Sequence, residues 1–306
     1  MASKPRSISE WVRRYLKDQK PRSKSLIVTI FGDALAPNLN AIWLSELIEL
    51  LQPFDVSDRL VRTSCFRLIE EGWLESARDG RRSQYALTAT GIRRFEHAYR
   101  RIYTPRISGW NQKWTLMFFP RLASASERNQ LRNELTWEGF GVLAPGIFLR
   151  PSTDLQSLSE ILEPLEPQQR PIILDSMDAA GLPARPVSEL VAECWNLSEI
   201  SETYRSFIAL FEPVVDLAMN GLTPESAFVL QTLLMHSFRR ASLHDPRLPS
   251  GLLGDDWSGE RAYELCRQLY RLTYRETHRY LKGKLSHSLA SKVPDTVQSR
   301  FGGLDR

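Results

Sequence analysis

Apolar positions recur with helical spacing at Leu44, Leu47, Ile48 and Leu51, and Pro53 closes that segment. Ahead of it, residues 1–22 are polar and basic and read as a loosely held arm or a short helix. Ser25 to Phe31 predicts a helix running into Gly32-Asp33, followed by a loop at Ala36-Pro37-Asn38. Ser57 suits the N-cap of a third helix that ends at Gly72, with Val61, Cys65 and Leu68 as its buried stripe. Trp73–Ala77 and Ser83–Leu87 read as short strands around Asp79-Gly80, a strong hairpin signal. Thr88 then caps a helix running to Tyr103. Helix, helix, helix, hairpin, helix is the order of a winged helix-turn-helix.

The period changes beyond residue 106. Trp114–Phe119, Gly141–Ala144, Ile147–Arg150 and Ile172–Leu174 read as strands, with helices over Ser126–Glu138 and Leu155–Leu165. That β-α-β-β-α-β order is the split βαβ arrangement of ferredoxin-like domains. From Ser188 the pattern is helical throughout, and Thr223-Pro224-Glu225 opens the helix that carries Phe228 to Phe238. A last helix covers Arg261 to Leu281, and the tail from Lys282 reads as polar and mobile apart from Phe301-Gly302-Gly303-Leu304. The fold expected is therefore α+β and multidomain. A basic arm (1–22) precedes a winged helix-turn-helix domain (23–106), a ferredoxin-like domain (107–187) and an all-helical C-terminal domain (188–306).

The length of 306 residues fits more than one core, and 42% hydrophobic with 25% charged residues excludes disorder as the main state. No apolar run approaches the roughly 20 residues of a membrane span, and the N-terminal stretch lacks the apolar core of a secretory signal. The three separated cysteines (Cys65, Cys194, Cys266) exclude a disulfide framework and a cysteine-rich zinc site, which points to a reduced, cytoplasmic protein. Charge is distributed unevenly. Residues 1–106 hold 19 Lys and Arg against 12 Asp and Glu, whereas the remainder holds 21 against 24. The basic surplus marks the first hundred residues as a polyanion-binding module on a near-neutral body.

On the third helix Arg59, Arg62, Thr63, Phe66 and Arg67 fall opposite the buried stripe. Guanidinium forks there can reach guanine or phosphate, and Thr63 can contact a base or its methyl group. At the hairpin tip Arg81, Arg82 and Ser83 sit where a wing meets the minor groove or the backbone. Searches for catalytic chemistry return little. Gly139-Phe140-Gly141 with Ala144 matches a dinucleotide pattern in the wrong context, because a helix precedes it and a strand follows. The five histidines (His97, His236, His244, His278, His287) form no HExxH motif, and the first middle strand ends in Phe118-Phe119-Pro120, with no carboxylate for a metal.

These residues, taken in order, resemble the PaaX family of transcriptional repressors over nearly the whole chain. The matching stretches are Phe31-Gly32-Asp33, Ile42-Trp43-Leu44, Arg62-Thr63 with Phe66-Arg67-Leu68, Glu71-Gly72-Trp73-Leu74 and Gly80-Arg81-Arg82-Ser83. They continue with Trp110, Lys113-Trp114, Gly139-Phe140-Gly141, Leu143-Ala144-Pro145, Cys194-Trp195 and Phe238-Arg239-Arg240. The last are Asp245-Pro246, Leu248-Pro249, Trp257 with Gly259, and Arg300-Phe301-Gly302-Gly303-Leu304.

The resemblance implies a non-enzymatic repressor of a phenylacetate-type catabolic operon. It would act as a homodimer on a palindromic operator in double-stranded DNA and be released by phenylacetyl-CoA or a related aryl-CoA thioester. No cofactor is expected. Such an effector needs cations beside an aromatic-lined cleft, for which His236, Arg239, Arg240 and His244, with Trp257 and Trp195, are the candidates. Two alternatives are a nuclease or acyl-CoA-processing enzyme carrying a winged-helix module, and an adaptor that keeps the winged-helix shape without binding DNA.

Overall fold

The computed structural model describes residues 5–39, 41–105, 109–119, 125–151, 155–177, 185–286, 289 and 292–304, so Pro120 and His287 lie outside the described residues. The chain forms two compact units. One comprises Met1–Pro105, Tyr204–Ser242 and Gly259–Arg306, and the other comprises Arg106–Thr203 and Leu243–Ser258. The first and last of the expected segments thus share one unit.

In that unit the basic N-terminal stretch is helical. Helix α1 (Ile8–Asp18) buries Ile8, Trp11, Tyr15 and Leu16 on one face, and Ser7 caps it by accepting from the Glu10 amide. Four apolar residues at helical spacing give this otherwise charged segment a face to bury. Trp11 Nε1 donates to the Leu210 carbonyl at 3.3 Å, which holds the helix down.

Helix α2 (Ser23–Ile30) runs into a π-turn, Phe31–Leu35, that carries Asp33 inward. A strand not foreseen, β1 (Ala41–Trp43), precedes α3 (Leu44–Leu51), so the expected helix starts one residue later than Trp43. Helix α4 (Asp58–Glu70) follows, then the hairpin strands β2 (Leu74–Asp79) and β3 (Arg82–Leu87), and α5 (Ala89–Tyr103). The strands form an antiparallel sheet in the order β1-β3-β2, with Trp43 opposite Gln84 and Asp79 opposite Arg82. Thr88 caps α5 as expected, accepting from the Gly91 amide at 2.9 Å.

The other unit carries β4 (Lys113–Phe118), α6 (Ala125–Trp137), β5 (Gly141–Ala144), β6 (Ile147–Pro151), α7 (Leu155–Leu162) and β7 (Ile172–Met177). Its sheet is antiparallel in the order β5-β6-β4-β7. Met117, Leu131, Leu135, Phe140, Phe148 and Leu158 form its core. Gly139 has φ +92° and ends α6 in a double turn, with its amide on the Thr136 carbonyl and the Phe140 amide on that of Leu135. The glycine is therefore a helix terminus and not part of a phosphate loop. Helix α8 (Val187–Cys194) covers the sheet, and Trp195 Nε1 donates to the Gly139 carbonyl at 3.0 Å.

Helix α9 (Leu197–Phe211) crosses the boundary between the units. Helices α10 (Val215–Met219), α11 (Pro224–Ser242) and α12 (Gly259–Lys284) complete the first unit, with α11 and α12 packed along one another.

The tail beyond Lys282 differs from expectation. Helix α12 continues to Lys284, α13 (Asp295–Gln298) follows, and Leu285, Val297, Arg300, Phe301 and Leu304 are all buried. Arg300 is 1% exposed. Its Nη1 lies 2.9 Å from Asp33 Oδ1, 3.0 Å from the Asp33 carbonyl, and donates to the Tyr270 hydroxyl. Tyr103 and Tyr270 donate to Asp33 Oδ1 at 2.6 and 2.9 Å, and Gln231 Nε2 donates to Oδ2 at 2.7 Å. The Arg300 guanidinium lies 4.2 Å from the centre of the Tyr103 ring. Burial pushes both phenols well above their usual range, so they are held as neutral donors. A charge that reads as surface in the sequence is thus neutralised in the core, where it ties the tail to the first hundred residues.

Candidate nucleic-acid interface

Helix α4 presents the face that its periodicity predicts. Val61, Ser64, Cys65 and Leu68 are buried, and α2 packs on that side, where the Ser23 and Ser64 hydroxyls meet at 2.7 Å. Burial pushes the Cys65 thiol up to about 12, which leaves it an inert packing residue. Arg59, Arg62, Thr63 and Arg67 are exposed on the opposite side. Thr63 Oγ1 donates to the Arg59 carbonyl at 2.9 Å, which orients its methyl group outward from the turn. Phe66 and Leu60 share this face at 61% and 48% exposure, an apolar surface that a purely solvated helix does not require.

The hairpin places its arginines beside this helix. Gly80, at φ +58°, takes the first of the two loop positions, where a hairpin turn that matches strand twist needs positive φ. Arg82 stacks its guanidinium 4.1 Å from the centre of the Trp43 ring. A groove of about 410 Å³ follows, lined by Trp43, Leu44, Ser45, Glu49 and Asp58 together with Arg62, Arg81, Arg82 and Ser83. Arg62 from the helix and the three expected hairpin residues therefore meet in one concavity, whereas Arg59, Thr63 and Arg67 continue along the helix outside it. Burial raises the Tyr85 phenol on β3 above its usual value, opposed by the nearby Arg62 charge. Trp43 was missed as an interface residue. Its signal in the sequence is weak, because a tryptophan at a helix start also reads as core.

The residues expected to hold an effector divide between the units. His236, Arg239 and Arg240 lie on α11 in one, and Trp195, His244 and Trp257 lie in the other. His236 Nδ1 is 3.3 Å from Thr29 Oγ1, to which Arg239 Nη1 also donates at 3.1 Å. Both side chains are held between α11 and α2. Burial, with the charges of Arg239 and Arg240, lowers the His236 pKa to about 4. Arg240 and His244 are exposed, and Trp257 is half-buried. Trp195 is enclosed against Gly141, where a Cβ would approach its ring to 2.7 Å. Among the described residues no group of His, Cys, Asp and Glu could hold a metal ion, and no helix is long and apolar enough to cross a membrane.

The fold and groove define a two-unit α+β protein with a cationic helix-and-hairpin face. Its successive segments match the PaaX-like protein (residues 22–91), the PaaX protein central Cas2-like domain (108–185) and the PaaX-like protein C-terminal domain (195–283). The chain belongs to the PaaX family. It is 36% identical over 286 residues to the transcriptional repressor PaaX of Escherichia coli (strain K12), which covers 92% of this chain and 90% of the relative. Among solved structures, the uncharacterized protein Rv0674 from Mycobacterium tuberculosis is similar at a TM-score of 0.46 and 24% identity, over 76% of this chain and 90% of that one.

Proposed function

We infer that this chain, a DNA-binding transcriptional repressor of the PaaX family, reads its operator with α4 and grips the adjacent backbone with the β2–β3 hairpin. One observation carries the reading: Arg62 on α4 and Arg81 and Arg82 at the hairpin tip line a single groove, within the segment matched by the PaaX-like model. The element order around that groove supports a winged helix-turn-helix, and the β5-β6-β4-β7 order supports a ferredoxin-like middle. Base contacts fall to Arg62, Thr63 and Arg67, with Arg59 beside them. Arg81, Arg82 and Ser83 supply phosphate or groove-width contacts.

One recognition helix covers few base pairs, so specificity calls for a homodimer on two half-sites about one turn apart, or a multiple of it. The regulated genes are a phenylacetate-type catabolic operon, and the releasing ligand is an aryl-CoA thioester such as phenylacetyl-CoA. The thioester acts by binding the DNA-free geometry of the dimer more tightly than the operator-bound one. The relative is a repressor, which supports a regulatory role over a nuclease or acyl-CoA-processing one.

The test uses an operator fragment found by footprinting upstream of the neighbouring genes. We expect Arg62→Ala or Arg67→Ala to lose about 1–3 kcal/mol of discrimination between operator and scrambled duplex. Arg81→Ala and Arg82→Ala should weaken binding to both and flatten its salt dependence. Equal proportional loss on both duplexes for Arg62→Ala would overturn the assignment of base reading to α4.

A further inference from the structure

Helix α12 carries a row of cations that the DNA-binding reading does not use. Arg267, Arg271, Arg275 and Arg279 follow one another at intervals of four residues, and Lys282 extends the row. Like charges at that spacing repel by about 0.2–0.5 kcal/mol per pair in an isolated helix, so the row works against the helix that bears it. Two acidic residues relieve part of it: Glu264 lies 3.4 Å from Arg267, and Glu276 lies 2.6 Å from Arg279. Among the described residues Arg271, Lys282 and Lys292 have no ion-pair partner.

The row borders two adjoining hollows. One of 380 Å³ gathers Arg275, Arg279, Lys282 and Lys292 beside His278. The other, of 540 Å³, shares Tyr274 and Arg275 with it and adds Met219, Leu272 and Leu304. Met219 is 65% exposed there. From Arg267 to Lys282 the helix rises about 22 Å. The trough is thus strongly cationic at one end and apolar at the other. A DNA strand would need cations along the whole track and no apolar terminus, whereas a long ligand with phosphates at one end and an acyl group at the other matches both ends.

We propose that this trough binds a coenzyme A thioester, with the nucleotide phosphates at Arg275, Arg279, Lys282 and Lys292 and the acyl group running toward Met219, Leu272 and Leu304. The assignment of the acyl group rests on the reading of the effector as an aryl-CoA thioester. The site adjoins the machinery that it would control. Tyr270 on α12 donates to Asp33, the turn holding Asp33 closes α2, and α2 packs on α4. Leu304 and Gln298, which line the two hollows, belong to the tail that carries Arg300. By contrast, His236 and Arg239 are engaged with Thr29 inside the fold.

The experiment is direct binding of phenylacetyl-CoA and of adenosine 3′,5′-bisphosphate to the full chain by calorimetry. Wild type is compared with Lys282→Glu/Lys292→Glu and with Leu272→Asn, each checked for native circular dichroism and operator affinity. We expect the charge-reversed protein to bind both probes at least tenfold more weakly, and Leu272→Asn to lose affinity for the thioester alone. Wild-type thioester affinity in the charge-reversed protein would overturn the site while leaving the effector reading intact. Wild type that binds the bisphosphate but not the thioester, with the bisphosphate lost on charge reversal, would keep the phosphate site and overturn the effector reading. Loss of operator affinity in ligand-free, folded Lys282→Glu/Lys292→Glu would make the trough a DNA contact and overturn the proposal.

Discussion

Replacing Arg300 by methionine keeps most of the buried volume and removes the positive charge that faces Asp33. The carboxylate would retain Tyr103, Tyr270 and Gln231 as donors but lose its ionic partner in a site where Arg300 is 1% and Asp33 6% exposed. Breaking a buried pair in this way costs about 3–5 kcal/mol. Loss of the cation above the Tyr103 ring adds to that, at up to about 2 kcal/mol for a desolvated contact. The three remaining donors offset part of the total, so the expected loss is about 3–5 kcal/mol. At about 2–4 °C per kcal/mol for a unit of this size, the melting temperature should fall by roughly 6–20 °C. Asp33→Asn should be destabilising as well, since it leaves the Arg300 charge facing an amide. The double variant should be less destabilised than the sum of the two by about 2 kcal/mol, because neither charge is then stranded. Urea unfolding of the four proteins measures this cycle. A loss below about 1 kcal/mol for Arg300→Met, or strict additivity in the double variant, would refute the claim that the pair ties the tail to the rest of the unit.

Two further outcomes follow from the same reasoning. The folded-state pKa of His236, near 4, lies below its usual 6.5, so the unfolded chain binds the extra proton between those values. Its contribution is complete above pH 6.5 and is lost as pH falls toward 4, on the order of 3 kcal/mol in total. His236→Gln should flatten the fall of stability between pH 7 and 4.5, and an unchanged slope would contradict the assignment. Gly139→Ala and Gly80→Ala separate strain from collision. Both positions have positive φ, but a Cβ at Gly139 would come within 2.6 Å of the Pro246 carbonyl oxygen, whereas one at Gly80 meets nothing within 4 Å. We expect about 1–2 kcal/mol for Gly80→Ala and a loss exceeding 3 kcal/mol for Gly139→Ala, measured by chemical denaturation. Similar losses at the two sites would count against the close approach.

What the sequence by itself determined is what neighbouring residues determine. The Thr88 cap, the glycine ends at Gly72 and Gly139, the hairpin at Asp79-Gly80 and the exposed Arg59, Arg62, Thr63 and Arg67 all rest on interactions spanning a few residues. So do the buried positions of α4, because helical periodicity alone separates its two faces. Tertiary structure decided the rest. Strand β1 has three residues and exists only because β3 offers an edge, so Trp43 reads as the start of a helix until its partner is in place. The meeting of Arg62 with Arg81 and Arg82, and the stacking of Arg82 on Trp43, depend on how the hairpin folds back toward the helices. Arg300 is the sharpest case. An arginine in a polar tail belongs in water by every local rule, since burying its charge alone costs many kcal/mol. It is buried because Asp33, 267 positions earlier, presents a carboxylate that only the assembled helices bring within 2.9 Å.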